Sequence, residues 1–361
     1  MKINYRISIT IGLSIHWNLL DFVGNKNSDL NSTSKIAITG ASGHIGANLC
    51  RQLHAKGFQM KALIFQDDRA IQGLPIQIIK GDVTDPESLD KLVEDCEVVI
   101  HLAAVISIGS KKSDQQLYIN TIGTKNIIQA CKKAGVKRLI HFSSIHAFDQ
   151  NPIHEKLDES RKAVSIKGFA YDRSKHSSEK DIIAASKEDL ECIILNPTAV
   201  LGPFDFKPSL LGQTLMRLKK GSLPALVPGG FDWVDVRDVA EATIAAITNG
   251  QNGEKYLLGG SYKSLKDLVD LAALSHSIKK PIINCPYTIA LMALPFLNVW
   301  SKLNNKPPLY TRMSLDTLKY ANRHVSHEKA SRELNFNPRP LSETLKDAYD
   351  WFDKNPQYAE L

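Results

Sequence analysis

The sequence predicts an α/β protein with a doubly wound parallel sheet and a smaller, mostly helical C-terminal lobe. Short apolar strands alternate with helices from Lys35 onward. Residues 98–104 form a run that is apolar except for His101, which is typical of a strand that is buried on both faces. Because strands separated by helices need crossover connections, the sheet is expected to be parallel. The length of 361 residues suits one large domain or a nucleotide domain with a substrate lobe.

The apolar pattern assigns each element in turn. Strands are predicted at residues 36–39, 59–65, 76–80, 98–104, 138–143, 191–195 and 256–258. Helices are predicted at residues 46–56, 89–95, 117–134, 170–186, 210–220 and 235–246, and residues 261–353 are expected to be mostly helical. After Pro197 the rhythm loosens, since several Pro and Gly residues mark loops.

These elements predict a division of the chain into three parts. Residues 35–197 form the nucleotide-binding core, to which residues 232–258 return, and residues 198–231 and 259–355 form the substrate-binding lobe. Residues 1–34 are expected to be a disordered extension. Its apolar stretch, residues 7–20, superficially resembles a signal peptide, but polar residues interrupt the stretch and no small-residue cleavage site follows it. Targeting or membrane attachment through this segment stays open as an alternative.

Composition narrows the function classes. The net charge of +7 is compatible with anionic ligands, but the basic residues are scattered and form no stripe with aromatic residues. This argues against nucleic-acid binding and leaves a small molecule as the expected partner. The five cysteines are odd in number and contain no Cys-x-x-Cys, which predicts reduced core thiols in a cytoplasmic protein without a metal site.

No stretch reaches the roughly 18 apolar residues of a membrane-spanning helix. Residues 287–300 come closest, but Pro295 and Asn298 interrupt the apolar run. We expect this segment to be a helix that covers a pocket or lies at an interface. Peripheral membrane contact through residues 1–20 or 287–300 is the less favoured alternative.

A glycine-rich turn between the first strand and the first helix carries the first functional signal. The pattern Gly40-x-x-Gly43-x-x-Gly46 permits a tight turn and lets a pyrophosphate approach the N-H groups at a helix start. It therefore predicts a dinucleotide site of the Rossmann type. The residues of this turn expected to bind the cofactor are Gly40, Ser42, Gly43, His44, Ile45 and Gly46.

Two further positions concern the adenosine half of the cofactor. Asp82 and Val83 follow the third strand, where a carboxylate can bind the adenine amino group, whereas Asp85 is equally well explained as a helix N-cap. At the end of the second strand, an acidic residue favours NAD and a basic residue favours NADP. Lys61 and Arg69 favour NADP and Asp67 and Asp68 favour NAD, so the choice stays open with a slight preference for NADP.

The chemistry is predicted by Tyr171 and Lys175, which lie four positions apart on a predicted helix and so share one face. A nearby ammonium stabilises a phenolate, so we expect Lys175 to lower the pKa of Tyr171 towards neutrality. Ser144 ends a strand upstream and can hold a substrate oxygen beside the phenol. Together these residues predict hydride transfer to or from a carbonyl carbon, with Tyr171 as the acid or base.

With these motifs, the chain resembles the extended short-chain dehydrogenases/reductases of the NAD-dependent epimerase/dehydratase family over about residues 35–353. The motifs are 39–46, Gly81-Asp82, 101–104, 120–124, Ser143-Ser144, 171–175 and 196–203. Segments 231–240 and 333–340 are most similar to dihydroflavonol-4-reductase-like proteins and hopanoid-associated epimerase-like relatives.

The resemblance implies roles for individual residues. Ser144, Tyr171 and Lys175 would be the catalytic triad, Asn120 would support the site, and Lys175 would also bind the nicotinamide ribose. Leu102, Ala103 and Ala104 would line the cofactor, Pro197 would lie near the nicotinamide, and a homodimer would form through a helix bundle. Asn196 departs from the arginine of many relatives, which disfavours the sugar-nucleotide enzymes.

Three functions are compatible with this pattern. The leading prediction is an NAD(P)-dependent oxidoreductase that interconverts a ketone and a secondary alcohol on a mainly apolar, dihydroflavonol-like or sterol-like molecule. The second is a sugar-nucleotide epimerase or dehydratase, in which the cofactor oxidises and re-reduces one substrate. The third, a non-catalytic NAD(P)-binding regulator, is disfavoured because serine, tyrosine and lysine are all present.

Overall fold

The computed structural model describes Leu30 and residues 34–105, 113–281, 283–303 and 310–359. The N-terminal extension, which was predicted to be disordered, lies outside the described residues apart from Leu30 and Ser34. Leu30 is buried against the apolar interior of the nucleotide-binding core.

The described strands and helices follow the predicted alternation. The strands are β1 (Lys35–Thr39), β2 (Gln59–Ile64), β3 (Ile76–Lys80), β4 (Val98–His101), β5 (Arg138–Phe142), β6 (Glu191–Pro197), β7 (Ala199–Leu201), β8 (Ala225–Leu226), β9 (Gly230–Asp235), β10 (Lys255–Leu258), β11 (Ser261–Ser264) and β12 (Ile283–Asn284). The helices are α1 (His44–Ala55), α2 (Pro86–Val93), α3 (Ser113–Ala134), α4 (Ala170–Ala185), α5 (Leu210–Lys219), α6 (Val236–Asn249), α7 (Leu265–Ser275), α8 (Tyr287–Leu303), α9 (Arg312–Tyr320), α10 (Glu328–Leu334) and α11 (Leu341–Lys354).

The central sheet has seven strands in the order β10-β6-β5-β4-β1-β2-β3, and all of its neighbouring strands pair in parallel. The strand order reverses direction between β1 and β4, as in doubly wound folds. The predicted fold class is therefore confirmed. A second sheet, β11-β9-β7, and the short β12-β8 pair extend the molecule beyond the central sheet.

Two elements, α2 and β4, have boundaries that differ from the prediction for local reasons. Helix α2 begins three residues earlier than expected, because the Asp85 side chain caps it by accepting from the Glu87 N-H and Pro86 occupies its first turn. The helix ends before Asp95, whose φ of 58° is left-handed. Strand β4 ends at His101, so residues 102–104 leave the sheet instead of continuing it.

Helices cover both faces of the central sheet. Helices α1 and α6 pack together over one face, and α2, α3 and α4 pack together over the other. Helix α10 packs on α6 and β10, so it contacts the nucleotide-binding core although it was predicted within the lobe. The remaining C-terminal helices enclose a separate apolar core around Trp233, Tyr349 and Phe352.

This topology positions the site. Strands β1, β4, β5 and β6 are parallel neighbours, so their carboxyl ends reach one edge of the sheet. In open α/β sheets, ligands bind in the crevice beyond that edge. The loops that leave these strands line a cavity to which the C-terminal lobe also contributes side chains.

Candidate active site

The glycine turn is built by backbone contacts that exclude side chains. Gly40 has a φ of +75°, and a Cβ there would lie 2.7 Å from the Ala103 nitrogen. A Cβ on Gly46 would collide with the Gly40 carbonyl oxygen and lie 2.7 Å from the Ala41 Cα. These two glycines therefore let α1 start directly against β1 and the loop after β4.

Gly43 has a different role, because it leaves open space at the start of α1. A Cβ on Gly43 would meet only the Gly40 carbonyl oxygen, at 3.3 Å. Gly43 is the N-cap of α1, yet no side chain caps the helix and no acidic residue occupies its first turn. The first N-H groups of α1 thus have room and positive potential for an anion. The turn fits the pyrophosphate of a nicotinamide dinucleotide.

The structure brings the three predicted catalytic residues together. Tyr171 and Lys175 lie one turn apart near the start of α4, and Ser144 follows β5 in extended backbone. The Ser144 hydroxyl lies near the Tyr171 phenol and lowers its pKa. The Lys175 Nζ donates to the Phe142 carbonyl oxygen at 2.8 Å, which holds the ammonium at the end of β5. All three residues line the cavity.

The expected lowering of the Tyr171 pKa is not seen in this arrangement. Burial raises the pKa of Tyr171 to about 12, and the hydrogen bond from Ser144 offsets only part of that effect. Burial also lowers the pKa of Lys175 to about 8. The expectation was wrong because it considered the neighbouring charge and not the desolvation of both groups. The protonated phenol is the favoured form, so Tyr171 is suited to donate a proton.

Asn196 positions Ser144, a role that the sequence did not indicate. Its fully buried Nδ2 donates to the Ser144 carbonyl oxygen at 3.0 Å and to Glu179 Oε1 at 2.7 Å. Glu179 is in turn paired with Lys255. The sequence identified Asn196 only as a departure from arginine. Its contact with Ser144 joins residues 52 positions apart, so no local pattern could reveal it.

Asn120 lies behind the cavity and not in it. Its side chain accepts from the Val105 N-H at 2.8 Å and donates to the Val105 carbonyl oxygen at 3.1 Å. It also donates to Ser174 Oγ at 3.3 Å, on the helix that carries Tyr171. Asn120 therefore fixes the loop after β4 to α4, which is a positioning role.

The cavity has a volume of about 890 Å³ and gathers most of the predicted site. The predicted residues that line it are Gly43, His44, Ile45, Gly46, Leu102, Ala104, Ser144, Tyr171, Lys175 and Pro197. The predicted residues that do not line it are Gly40, Ser42, Asp82, Val83, Ala103 and Asn120. Its wall is rich in apolar and aromatic side chains, namely Phe148, Phe169, Phe231, Met313, Tyr320 and Val325.

Two buried carboxyl groups in this wall were missed by sequence reasoning. Asp172 follows Tyr171, and its Oδ1 lies 3.7 Å from His146 Nδ1 without a hydrogen bond to another described atom. Burial raises the pKa of Asp172. Asp232 accepts from the Gly260 N-H at 2.7 Å, and burial raises its pKa to about 6. The only available signal for Asp172 was its place inside the Tyr-x-x-x-Lys segment.

The end of β2 does not favour either cofactor clearly. Arg69 donates to both carboxylate oxygens of Asp67, at 2.9 and 2.6 Å, and Lys80 lies 3.4 Å from Asp68. Lys61, which was expected to favour NADP, is buried and donates to the Glu94 carbonyl oxygen at 2.6 Å. That expectation was wrong, because the ammonium group of Lys61 is bonded to the loop after α2 and does not face the cofactor site.

The two residues predicted beside the adenine are held in the loop after β3. Asp82 Oδ1 accepts from the Thr84 N-H and hydroxyl, both at 2.7 Å, so at least one carboxylate oxygen closes a local turn. Val83 lies against Gly123 of α3, where an added Cβ would come within 2.9 Å of the valine side chain. Adenine binding by Asp82 stays a prediction.

Comparisons with known proteins agree with this geometry. The model of the NAD dependent epimerase/dehydratase family matches residues 36–259. Sterol demethylase protein B of Methylococcus capsulatus is 32% identical over 321 residues, which cover 87% of this chain and 97% of that protein. A Synechocystis protein named for dihydroflavonol 4-reductase is 31% identical, with 88% of this chain and 94% of that protein covered.

A solved structure has a similar fold. The crystal structure of gox2253 superimposes with a TM-score of 0.75 and is 29% identical in sequence. The superposition covers 90% of this chain and 99% of that chain. The similarity thus extends over the central sheet and the C-terminal lobe together.

Proposed function

The chain belongs to the NAD dependent epimerase/dehydratase family and is an NAD(P)-dependent oxidoreductase of the extended short-chain type, and from this premise we propose its reaction. It reduces a ketone to a secondary alcohol on a mainly apolar small molecule, with Tyr171 as the proton donor. The observation that carries the proposal is that Tyr171, Ser144 and Lys175 line the same largely apolar cavity. That cavity begins at the phosphate-binding turn.

The residues around the reacting carbonyl have separate tasks. NAD(P)H, when bound on the glycine turn, supplies the hydride for the carbonyl carbon. Ser144 holds the substrate oxygen within reach of the Tyr171 phenol, and Asn196 holds Ser144 in place. Tyr171 donates its proton to the oxygen as negative charge develops there. Lys175 stabilises the phenolate that remains.

The raised pKa of Tyr171 supports its role as the proton donor in reduction. A phenol whose pKa is about 12 is protonated throughout the neutral range, so the acid form needed for reduction is present. Oxidation would need the phenolate, which burial disfavours.

The shape and charge of the wall support an apolar substrate. Buried Asp172 and Asp232 face the same cavity as the aromatic side chains, and carboxylates repel the diphosphate of a sugar nucleotide. The names of the two relatives refer to sterol demethylation and to dihydroflavonol. Sterols and dihydroflavonols are rigid ring systems with few polar groups. We propose a ketone of this multi-ring class as the substrate.

One observation favours the sugar-nucleotide alternative. Lys167 and Lys207 also line the cavity, at exposed positions, and could bind a diphosphate. The two functions therefore differ in whether activity depends on these lysines. A multi-ring ketone needs neither ammonium group, whereas a nucleotide sugar needs at least one.

The test measures NADH and NADPH consumption by the purified chain with steroid ketones and dihydroflavonols, and product formation from UDP- and dTDP-sugars, because epimerisation and dehydration consume no net cofactor. We expect a multi-ring ketone to be turned over with a kcat/KM at least about tenfold above that for any sugar nucleotide. The Lys167→Ala/Lys207→Ala double variant should keep ketone turnover. Epimerised or dehydrated sugar nucleotide in the product mixture, lost in the double variant, would establish the alternative instead.

A further inference from the structure

Helix α8 exposes a continuous apolar stripe that no described part of the chain covers. Its residues are spaced three and four apart along the helix and are 55% to 79% exposed: Ile289, Met292, Phe296, Val299 and Leu303. The stripe is about 21 Å long at the usual rise of an α-helix. A contiguous patch of this kind marks an interaction site, whereas single exposed apolar residues do not.

The opposite face of α8 is also apolar. Ala290 and Leu294 are buried in the core of the C-terminal lobe, and Tyr287 and Leu291 pack against that core. A surface helix of a soluble protein normally carries its charges on the outward face, but residues 287–301 include no charged residue. The outward face of α8 therefore has the composition of a second buried face.

The chain segment that contains α8 is basic. Residues 287–320 include four basic residues and one acidic residue, in a chain with a net charge of +7. The one acidic residue, Asp316, accepts a hydrogen bond from the Tyr287 hydroxyl and lies 3.7 Å from Arg312. Lys319 sits over the Tyr287 ring, 3.8 Å from its centroid. The two described cations of this segment, Arg312 and Lys319, thus lie on α9, which packs on α8, and its one acidic residue is already paired.

We infer that α8 docks the protein on the surface of a bilayer that contains anionic phospholipid. The apolar stripe would enter the interface between headgroups and acyl chains, and the flanking cations would contact phosphate groups. No helix in the described part of the chain is long and apolar enough to cross a membrane, so α8 lies on the bilayer. A stripe of five residues is much smaller than the 20 to 30 or so per side of a standard protein interface, which disfavours a second copy.

The location of α8 connects this surface to the cavity. Helix α8 packs on α9, and α9 contributes Met313, Thr317 and Tyr320 to the cavity wall. A bilayer in contact with α8 would therefore lie near the helix that closes the substrate side of the site. The inference goes beyond the proposed reaction and does not depend on it, because docking requires neither substrate nor proton transfer.

The experiment is co-sedimentation of the full chain with extruded vesicles, without substrate or cofactor. One vesicle set is phosphatidylcholine with phosphatidylserine and the other is phosphatidylcholine alone. We expect the unaltered chain to bind the anionic vesicles preferentially and to bind less in high salt. The triple variant Met292→Ser/Phe296→Ser/Val299→Ser should bind at least about tenfold more weakly. None of the three residues lines the cavity, so turnover of a water-soluble substrate should be unchanged.

A matched control uses an apolar residue that is equally exposed on another helix. Leu274 of α7 is 81% exposed, and Leu274→Ser should leave vesicle binding unchanged. Equal binding by the triple variant and the unaltered chain would overturn the inference and assign any membrane contact to another segment. Light scattering gives the other decisive outcome, since a dimer that the triple variant dissociates would make the stripe a protein interface.

Discussion

The two ends of the predicted cofactor site, the catalytic cluster and the tip of β2, differ in burial and in the kind of contacts that hold them. In the catalytic cluster, Ser144, Lys175 and Asn196 are buried and Tyr171 is partly buried, and contacts with other parts of the chain hold these residues. The β2 tip, residues 65–69, is mostly exposed, and its charges pair with near neighbours in sequence or with Lys80. The buried end depends on the whole fold, whereas the exposed end depends on a few residues.

The difference has an energetic consequence. A polar group that is buried and loses its partner keeps its full desolvation cost, which is about 1 to 3 kcal/mol or more. An exposed ion pair contributes about 0 to 1 kcal/mol and is screened by salt. We therefore expect substitutions in the catalytic cluster to abolish the reaction, and substitutions at the β2 tip to adjust cofactor preference without loss of activity.

The largest effect is expected for Tyr171→Phe. This change removes the proton donor and keeps the ring, so kcat for ketone reduction should fall about 10³-fold. Cofactor affinity, measured by fluorescence titration with NADH and NADPH, should stay within about twofold because the glycine turn is intact. Steady-state kinetics on a substrate found in the ketone panel provide the measurement.

The matched control for this prediction is Tyr118→Phe. Tyr118 is 63% exposed on α3 and does not line the cavity, so the same chemical change there should leave kcat unaltered. Full turnover by Tyr171→Phe would show that another group supplies the proton. The buried end of the cofactor site would then not be essential for the reaction, and the comparison with the exposed end would no longer hold.

The glycine turn joins the two ends and allows a second prediction. In Gly46→Ala the new Cβ would collide with the Gly40 carbonyl oxygen, so both Tm and cofactor affinity should fall. In Gly43→Ala the new Cβ meets only one atom, at 3.3 Å, but it occupies the space for the pyrophosphate. Gly43→Ala should therefore keep the Tm and weaken NAD(P) binding about tenfold.

Thermal unfolding and cofactor titration of both variants provide the measurement for this pair. Equal losses of Tm in the two variants would mean that Gly43 is also required by the packing. Unchanged cofactor affinity in Gly43→Ala would place the phosphates elsewhere than at the start of α1.

The sequence could predict the fold because the strands and helices of the nucleotide-binding core have strong apolar patterns. Short strands such as β8 and β12 have two residues each and no periodicity, so they could not be predicted. Helix α2 was misplaced because the Asp85 cap and Pro86 start the helix before its apolar face begins. Local capping chemistry, and not periodicity, sets that boundary.

The candidate site was predictable only where one short segment carries the signal. Tyr171 and Lys175 lie one helical turn apart, and the glycine turn is contiguous. The positioning role of Asn196 could not be predicted, because it depends on a contact with Ser144 across two strands. The direction of the Tyr171 pKa was also missed, because spacing reports which charges are near and does not report how much water burial removes.

The smallest effect is expected for Asp67→Ala at the β2 tip. The hydrogen bond from Arg69 lowers the pKa of Asp67 to about 2, so this carboxylate is ionised and occupies the guanidinium. Its removal frees Arg69 for a 2′-phosphate and deletes a negative charge near the ribose. The ratio of kcat/KM with NADPH to that with NADH should rise about fivefold, mainly through the KM for NADPH.

The control for Asp67→Ala is a variant with the same change in net charge at a distant ion pair. Asp90→Ala removes the partner of Lys133 on α3 and should leave the cofactor ratio unchanged. If Asp90→Ala raises the ratio equally, the effect comes from net charge and not from Arg69. If Asp67→Ala leaves the ratio unchanged, the β2 tip does not contact the ribose, and cofactor choice must be set within the buried part of the site.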